Sequence, residues 1–227
     1  MSSMKVSTPY SPGRRPHCRR AEDRRLLTLI NSYRQIALNE DGTYRDNVFL
    51  RVIGESYIPI AFRIAAAADP NAKLFYNDYN LEYGANSSKT LGALRIAKLV
   101  QSWGVKIDGV GFQGHLVVEP TGTQSIPTPG RDVLEGSLRA FADLGLDVAY
   151  TEVDIRMNTP STPQKLQAQA DAYARVAASC LAVPRCVGIT IWVSSSFISV
   201  VVAHAVRITI SRSGHTVVPL DLTGGLF

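Results

Sequence analysis

Long apolar runs are scarce in this chain of 227 residues. Its first 20 residues contain no apolar stretch of the roughly 7 to 15 residues that a secretory signal peptide needs. Two later apolar segments, 26–30 and 197–206, are shorter than the roughly 20 residues of a membrane-spanning helix. We therefore expect no signal peptide in this chain and no membrane partner.

Cysteine is equally rare, with three residues, Cys18, Cys180 and Cys186. Cys180 and Cys186 would close a short loop if oxidised, but their spacing alone leaves open whether they pair or remain two buried thiols. No Cys and His cluster has the spacing of a zinc site, no glycine-rich phosphate loop follows a predicted strand, and no Gly-x-Ser-x-Gly elbow is present. The sequence therefore predicts neither a metal nor another cofactor.

A net positive charge is confined to the start of the chain. Residues 1–36 contain eight Lys and Arg against Glu22 and Asp23, a net charge of +6, whereas the whole chain carries +5. Residues 37–227 therefore carry −1 and give no reason to expect a nucleic-acid partner. One alternative stays open, an interaction protein that binds through its basic leader, although a solvated tail explains the same charge.

Four apolar segments rich in β-branched and aromatic residues predict strands at 74–78, 110–113, 148–154 and 187–193. Their first residues are separated by 36, 38 and 39 positions, with helix-like segments between them. This alternation predicts parallel βα units, as found in doubly wound sheets and TIM barrels. A closed barrel needs eight units, so the predicted units correspond to about half of one.

Two of the intervening helices have clear stop signals. Apolar residues at helical spacing predict helices over 91–103 and 134–144. Gly104 and Gly145 follow them directly and are suited to left-handed C-terminal caps.

Two further helices are predicted from their proline residues. Thr162 and Pro163 indicate the N-cap and first residue of a helix that ends at Leu181. Residues 48–69 also have a helical pattern, and Pro59 within it predicts a kink at that position.

Polar and aromatic side chains cluster at the carboxyl ends of the four predicted strands. Residues at i and i+2 of a strand point the same way, so these ends hold two same-side pairs. The pairs are Gln113 with His115 and Glu152 with Asp154, and the remaining residues are Asn77, Asp78 and Trp192. Taken singly, each has an ordinary structural explanation such as a turn or a strand-end hydrogen bond. Their coincidence where βα loops converge favours an active site.

Four segments carry a resemblance to a known family. They are 74–82 (LFYNDYNLE), 107–116 (IDGVGFQGHL), 151–156 (TEVDIR) and 186–192 (CVGITIW). In order and spacing they resemble successive strand motifs of glycoside hydrolase family 10, the retaining endo-1,4-β-xylanases, over about residues 37–194. The resemblance implies a (β/α)8 TIM barrel of which this chain represents about the C-terminal half, barrel strands 5 to 8.

The resemblance also implies an activity and the residues that carry it. Retaining xylanases cleave internal β-1,4 bonds of xylan with one carboxylate as nucleophile and a second carboxyl group as acid/base. Glu152 matches the nucleophile, His115 the histidine that hydrogen-bonds it, and Asp154 the acid that orients the histidine. Substrate-binding positions of the family are matched by Asn77, Tyr79, Gln113 and Trp192.

Further expectations follow from the same resemblance. Cys180 and Cys186 match a disulfide common in fungal members. Xylan or a xylo-oligosaccharide is the expected partner, with no obligate protein partner, and an extracellular location is expected.

Two departures limit the resemblance. Counting back from Asn39, the acid/base position falls on Ile36, which cannot donate a proton. Residues 1–36 and 195–227 match nothing in the family, so we expect a basic leader, a partial catalytic domain over 37–194 and an unrelated tail. The chain thus reads as an inactive xylanase that is truncated or misread at its ends. The alternative is a non-catalytic carbohydrate-binding remnant.

Overall fold

Parallel strands alternate with helices in the part of the chain that the computed structural model describes, residues 26–29, 37–193, 208–212 and 218–219. In chain order the elements are β1 (Leu26–Leu29), α1 (Val48–Ile53), α2 (Tyr57–Ala68), β2 (Lys73–Asp78), α3 (Ser88–Ser102), β3 (Gly109–Phe112), β4 (His115–Val117), α4 (Arg131–Ala142), β5 (Asp147–Arg156), α5 (Pro163–Leu181), β6 (Cys186–Val193), β7 (Ile208–Arg212) and β8 (Val218–Pro219). The four predicted strands correspond to β2, β3, β5 and β6, and each is confirmed to within two residues at both ends.

One sheet contains the described strands, in the order β1-β2-β3-β5-β6-β7-β8, with β4 paired to β5 beside this path. Neighbours along the path are parallel except β7 and β8, which are antiparallel. The predicted parallel βα arrangement is therefore confirmed. Because parallel strands end at the same edge of a sheet, the carboxyl ends of β2, β3, β5 and β6 lie side by side.

A hydrophobic core fills the layer between one face of the sheet and the helices. Val110 and Phe112 of β3 are fully buried in it. Phe112 meets Phe141 of α4 and Tyr150 of β5 edge to face, with ring centroids 5.6 Å and 5.9 Å apart. The Tyr150 hydroxyl lies 3.0 Å from Ser179 Oγ of α5, so these two buried hydroxyls satisfy each other. These contacts pack β3 and β5 against each other and against α4 and α5.

Strand β5 contains a bulge near its centre. Between Tyr150 and Val153, three steps along β5 face only two along β6. Both residues lie in the core, although strict alternation would put them on opposite faces. The extra residue leaves Thr151 and Glu152 together on the face away from the helices, where both contact Asn77. Bulges of this kind re-aim side chains next to functional sites.

The predicted ends of three helices are confirmed. Gly104 and Gly145 follow α3 and α4 with φ angles of 62° and 80°, in the left-handed region. Thr162 caps α5 by accepting a hydrogen bond from the Lys165 backbone N–H over 3.3 Å, and Pro163 is the first helical residue. None of the described helices is long and apolar enough to cross a membrane.

The predicted kink at Pro59 is wrong. The break comes earlier, where a 3-10 turn at Gly54–Ser56 separates α1 from α2 and Gly54 has a φ of 73°. Pro59 is the third residue of α2. Backbone N–H groups in the first turn have no partner within the helix, so proline interrupts no hydrogen bond there.

A disulfide between Cys180 and Cys186 joins the end of α5 to the start of β6, with a Cα–Cα distance of 5.3 Å. The pairing implied by the family resemblance is therefore confirmed, and the alternative of two buried thiols is wrong.

Candidate active site

Glu152 lies at the carboxyl ends of the parallel strands, on the sheet face opposite the helices. The residue is 7% exposed, and its Oε1 accepts a hydrogen bond from Asn77 Nδ2 over 3.2 Å. Its backbone N–H donates to the carbonyl oxygen of Gln113, just after β3, over 2.9 Å. Contacts from two other strand ends therefore hold this carboxylate in place.

The side-chain amide of Asn77 is fixed in one orientation. Thr151 Oγ1 donates to Asn77 Oδ1 over 2.8 Å, which leaves the amide NH2 facing Glu152. Gly111 provides the space, because a Cβ at this position would lie 2.4 Å from Asn77 Oδ1. The bulge in β5 thus places Thr151 where it orients the group that binds Glu152.

His115 bridges the two acidic residues of β5. Its Nδ1 lies 3.0 Å from Asp154 Oδ2 and its Nε2 lies 3.6 Å from Glu152 Oε2. Hydrogen bonding to Asp154, and next to Glu152, raises the pKa of His115 from 6.5 to about 9. At neutral pH the imidazole therefore holds both protons and is positively charged, with one N–H toward each carboxylate.

Trp192 contacts this group from the end of β6. Its ring meets that of His115 edge to face, with centroids 6.5 Å apart, and the residue is 46% exposed. Trp192 is therefore not a core residue. An exposed aromatic ring offers a flat apolar surface next to the carboxylates.

A cleft of about 890 Å³ opens beside Glu152 and His115. This volume lies within the range of roughly 300 to 1,000 Å³ that is usual for ligand sites. Its walls come from the loop before α1, the ends of β2 and β5, the start of α3, β4 and the loop before α4. The lining residues are Glu40, Arg45, Tyr79, Asn80, Tyr83, Ser87, Lys89, Gln113, His115, Thr123, Gln124, Ser125, Ile126, Glu152, Asp154 and Arg156.

Lys89 is a buried cation in the wall of this cleft. The residue is 2% exposed, and its Nζ lies 2.8 Å from Glu40 Oε1 and 3.5 Å from Asp78 Oδ1. The same ammonium lies over the ring of Tyr79, 3.2 Å from the centroid. Burial is the main cause that raises the pKa of the Tyr79 phenol to about 12, so it stays protonated at neutral pH.

The structure brings the residues predicted from the sequence to one site. Some contact Glu152 or His115, and others line the cleft. Glu152, His115 and Asp154 form a connected group, and Asn77 and Trp192 reach it through Glu152 and His115. Tyr79 and Gln113 line the cleft itself. Ile36, the position matched to the acid/base residue, lies outside the described residues.

Sequence reasoning missed three charged residues of the site, Lys89, Arg45 and Arg156. Arg156 had a usable signal, because it stands at i+2 from Asp154, and its Nε lies 3.7 Å from Asp154 Oδ1. Lys89 and Arg45 had none, since a single basic residue in a first helical turn or a loop is typical of solvated surface. Within the described ranges, no group of His, Cys, Asp and Glu side chains could hold a metal ion.

The sequence is similar to a family model and to curated fungal proteins. The model described as glycosyl hydrolase family 10 matches residues 35–199. Endo-1,4-beta-xylanase A of Fusarium oxysporum f. sp. lycopersici is 68% identical over 156 residues, 69% of this chain and 47% of that protein. Endo-1,4-beta-xylanase 1 of Gibberella zeae is 64% identical over 156 residues, 69% of this chain and 44% of that protein. The chain spans about half the length of the curated relatives it matches.

Solved structures show the same partial likeness. The GH10 xylanase from Bispora sp. MEY-1, solved with xylobiose, is 35% identical with a TM-score of 0.63, over 70% of this chain and 46% of that one. Native xylanase 10B from Thermotoga maritima is 34% identical with a TM-score of 0.61, again over 70% and 46%. The predicted (β/α)8 class, represented by about half of a barrel, is confirmed by these matches. Together with the strand-end carboxylates and the family model, they show that the chain belongs to glycoside hydrolase family 10.

Proposed function

We propose that this chain carries the nucleophile half of a retaining endo-1,4-β-xylanase site, with Glu152 as the nucleophile. The series Asn77, Glu152, His115 and Asp154 beside the cleft, joined by a hydrogen bond from Asn77 and by ion-pair contacts of His115 with both carboxylates, is the observation that carries the proposal. The similarity to proteins named endo-1,4-beta-xylanases and to a structure that contains xylobiose supports xylan or a xylo-oligosaccharide as the substrate class.

The geometry suits attack by Glu152 on an anomeric carbon. One carboxylate oxygen would form the bond to the sugar while the bond from that carbon to the leaving oxygen breaks, which gives a covalent glycosyl-enzyme. Asn77 and the imidazolium of His115 bind different oxygens of Glu152 and so limit its rotation. Asp154 in turn holds Nδ1 of the imidazole, which makes Asp154 a positioning residue.

Sugar binding is proposed for the residues that surround the nucleophile. Trp192 presents an exposed ring on which the apolar face of a pyranose can stack. Tyr79 and Gln113 offer hydroxyl and amide groups to the cleft, and a protonated phenol can donate a hydrogen bond to a sugar oxygen.

This chain lacks a residue at the matched position that could serve as the second carboxyl group of the mechanism. Ile36 stands at the position matched to it and cannot donate a proton. Glu40 is a poor substitute, because Lys89 and Asn80 outweigh the opposing effect of burial and lower the pKa of Glu40. We therefore propose that hydrolysis of xylan by this chain is weak or absent. A cleft formed without any acid/base residue at position 36 of the sequence favours, as a second candidate, a carbohydrate-binding remnant without catalysis.

An extracellular location is proposed on two grounds. The similar proteins are fungal xylanases that degrade an extracellular polysaccharide, and the disulfide between Cys180 and Cys186 is of a kind that persists in oxidising compartments.

Activity on two substrates tests the proposed function. General acid help is typically worth ~10² to 10⁴ in rate for a sugar leaving group, whereas an activated aryl leaving group departs as a stabilised phenolate without it. We expect the purified chain to turn over an aryl xylobioside but to act on xylan slowly or not at all. Glu152→Ala should abolish the aryl activity. Glu135→Ala should retain it, because Glu135 pairs with Arg131 and Arg139 within α4 and does not line the cleft.

Each other outcome has a defined meaning. Glu152-dependent hydrolysis of xylan at a rate typical of enzymes would contradict the proposal that this chain lacks a functional acid/base residue. Binding of xylo-oligosaccharide without turnover of either substrate would favour the carbohydrate-binding remnant. Aryl turnover that survives Glu152→Ala would remove Glu152 from the role of nucleophile.

A further inference from the structure

Glu82 is a buried acid that the proposed mechanism does not use. It lies in the loop between β2 and α3 and is 1% exposed. Its Oε1 accepts a hydrogen bond from the backbone N–H of Gly114 over 2.7 Å. Its Oε2 has no hydrogen-bond partner among the described residues. A buried carboxyl group with half of its bonding capacity unused is costly, so its retention calls for an explanation.

Gly114 is the residue that Glu82 holds, and its backbone is tightly constrained. The φ angle is 76°, and a Cβ would lie 2.9 Å from Val153 Cγ2 and 3.3 Å from Val153 Cα. The Gly114 carbonyl accepts a hydrogen bond from the Asp154 backbone N–H over 3.1 Å. A hydrogen bond from its N–H to Glu82 and another to its C=O from β5 therefore hold Gly114 in place.

The position of Gly114 determines the position of His115. The two residues are consecutive, and His115 begins β4 by pairing with Asp154. The residue before Gly114, Gln113, accepts a hydrogen bond from the backbone N–H of Glu152. A shift of Gly114 would therefore move the imidazole relative to both carboxylates that it bridges.

We propose that Glu82 is a positioning residue that holds His115 in register with Glu152 and Asp154 through the N–H of Gly114. This inference rests on the proposed function, because only there does the position of His115 relative to Glu152 and Asp154 matter. Its test does not depend on turnover.

The surroundings of Glu82 make the contact sensitive to pH. Titratable groups face it from α3 (Lys89), β4 (His115) and β5 (Tyr150), and Tyr83 adjoins it in the chain. Burial raises the pKa of Glu82 from 4.5 to about 7, and hydrogen bonds from backbone N–H groups, followed by the charges of His115 and Lys89, only partly offset this. A proton added to Glu82 would go to Oε2, because Oε1 is occupied by the N–H of Gly114. The carboxyl group therefore changes charge within the neutral range while keeping its contact.

Two variants of Glu82 separate the hydrogen bond from the charge. Glu82→Gln keeps an oxygen acceptor for Gly114, whereas Glu82→Leu has none, and both remove the charge. The readout is the His115 pKa, taken from a pH titration of its imidazole signals by NMR. We expect the His115 pKa in Glu82→Leu to lie at least about one unit below that in Glu82→Gln, because hydrogen bonds to the two carboxylates are what raise it. Equal values in the two variants would overturn the proposal.

A second measurement needs no leucine variant to fold. In the unmutated chain, the Gly114 amide signal should shift with pH with a midpoint near 7, as its acceptor Glu82 titrates. Glu82→Gln should abolish this shift. A Gly114 signal that neither pH between about 5 and 8.5 nor the substitution Glu82→Gln changes would also overturn the proposal, because Glu82 would then not contact this N–H. Neither result depends on xylanase activity, so failure of the proposed function would be seen separately.

Discussion

Lys89 neutralises two carboxylates, Asp78 at the end of β2 and Glu40 in the loop before α1, and Asp78 has no access to water. Asp78 is fully buried and also accepts hydrogen bonds from the Tyr76 hydroxyl over 2.6 Å and from the Tyr79 backbone N–H over 2.8 Å. Removing one partner of a buried ion pair leaves the other charge uncompensated, which costs more than the pair itself contributes. The ammonium of Lys89 is therefore structural as well as part of the cleft wall.

Lys89→Met should lower the free energy of unfolding by about 3 kcal/mol, because Asp78 would lose the cation next to it. Urea unfolding followed by circular dichroism measures this. Lys98→Met is the matched control, since Lys98 is exposed on the same helix and its loss should cost less than about 0.5 kcal/mol. Equal effects of the two substitutions would contradict the role assigned to Lys89.

Substitution by alanine should change the stability in opposite directions at two glycines. Gly111→Ala would force its Cβ against Asn77, and this overpacking should cost roughly 1 to 3 kcal/mol. Gly136 lies within α4 with nothing near the position of a Cβ, so Gly136→Ala should stabilise by roughly 0.5 to 1 kcal/mol. Thermal unfolding of both variants gives the comparison. A Gly111→Ala variant as stable as the parent would show that Asn77 has room to move.

At this scale the sequence predicts which polar residues lie at the strand ends and misses the buried charged residues beside them. Glu152, His115 and Asp154 were predictable because each stands at a carboxyl end within a distinctive motif. Glu82 stands in the motif at 74–82, but no pattern shows that its carboxyl group is buried against Gly114. Burial of a charged side chain depends on neighbours more than 30 residues away, which one sequence does not reveal.

A covalent bond holds the junction of α5 and β6, where Cys180 and Cys186 form a disulfide. Replacing both Cys180 and Cys186 with serine should lower the free energy of unfolding by about 2 kcal/mol, because the bridge restricts a short loop in the unfolded chain. Urea unfolding of the double variant, next to the parent under oxidising conditions, provides the measurement. The single variants serve as controls and should lose the same amount, since either one removes the bridge. A double variant of unchanged stability would contradict the prediction.

Periodicity and end signals were sufficient for most elements. The strands and the helices α3, α4 and α5 were predictable because apolar spacing and caps agreed. Two features were not. The break between α1 and α2 falls at Gly54 because proline is compatible with a first helical turn, and the bulge in β5 is set by pairing with β6.

Two of the described groups, Glu82 and His115, should make the stability of the whole molecule depend on pH between about 4.5 and 9. The pKa of Glu82 is raised from 4.5 to about 7 by burial, and that of His115 from 6.5 to about 9 by its carboxylate partners. The folded chain therefore binds more protons than the unfolded chain between about pH 4.5 and 9, so the free energy of unfolding falls as pH rises. The contribution of Glu82 is complete below pH 4.5 and lost by about 7. That of His115 is complete below 6.5 and lost by about 9.

Urea unfolding at pH 5, 7 and 9 measures this decline. Glu82→Gln should remove the fall in the free energy of unfolding between pH 4.5 and 7, which comes from Glu82. It should leave the fall above pH 6.5, which comes from His115. Acids in surface ion pairs, such as Glu119 and Glu135, have lowered pKa values and act in the opposite sense, but only at lower pH. Stability that rises from pH 5 to 9 would show that another group dominates.

The fold class was predictable from four ordered motifs, but the ends of the sheet were not. Strand β1 lies within a short apolar run of the basic leader, and its parallel pairing with β2 has no signal in that run. Pairing of β7 with β6 likewise depends on a partner strand and not on a local pattern.

The bulge in β5 has a consequence for how related sequences are aligned. Deleting Thr151 would leave Tyr150, Glu152 and Val153 in perfect alternation, so a gap at this position would look harmless by every local criterion. It would nevertheless remove the hydroxyl that keeps the NH2 group of Asn77 toward Glu152. A homologue with one residue fewer here would keep its strand, its carboxylate and the rest of the motif at 151–156, yet would lack the bond that orients Asn77. Length at this position is therefore as informative about function as residue identity.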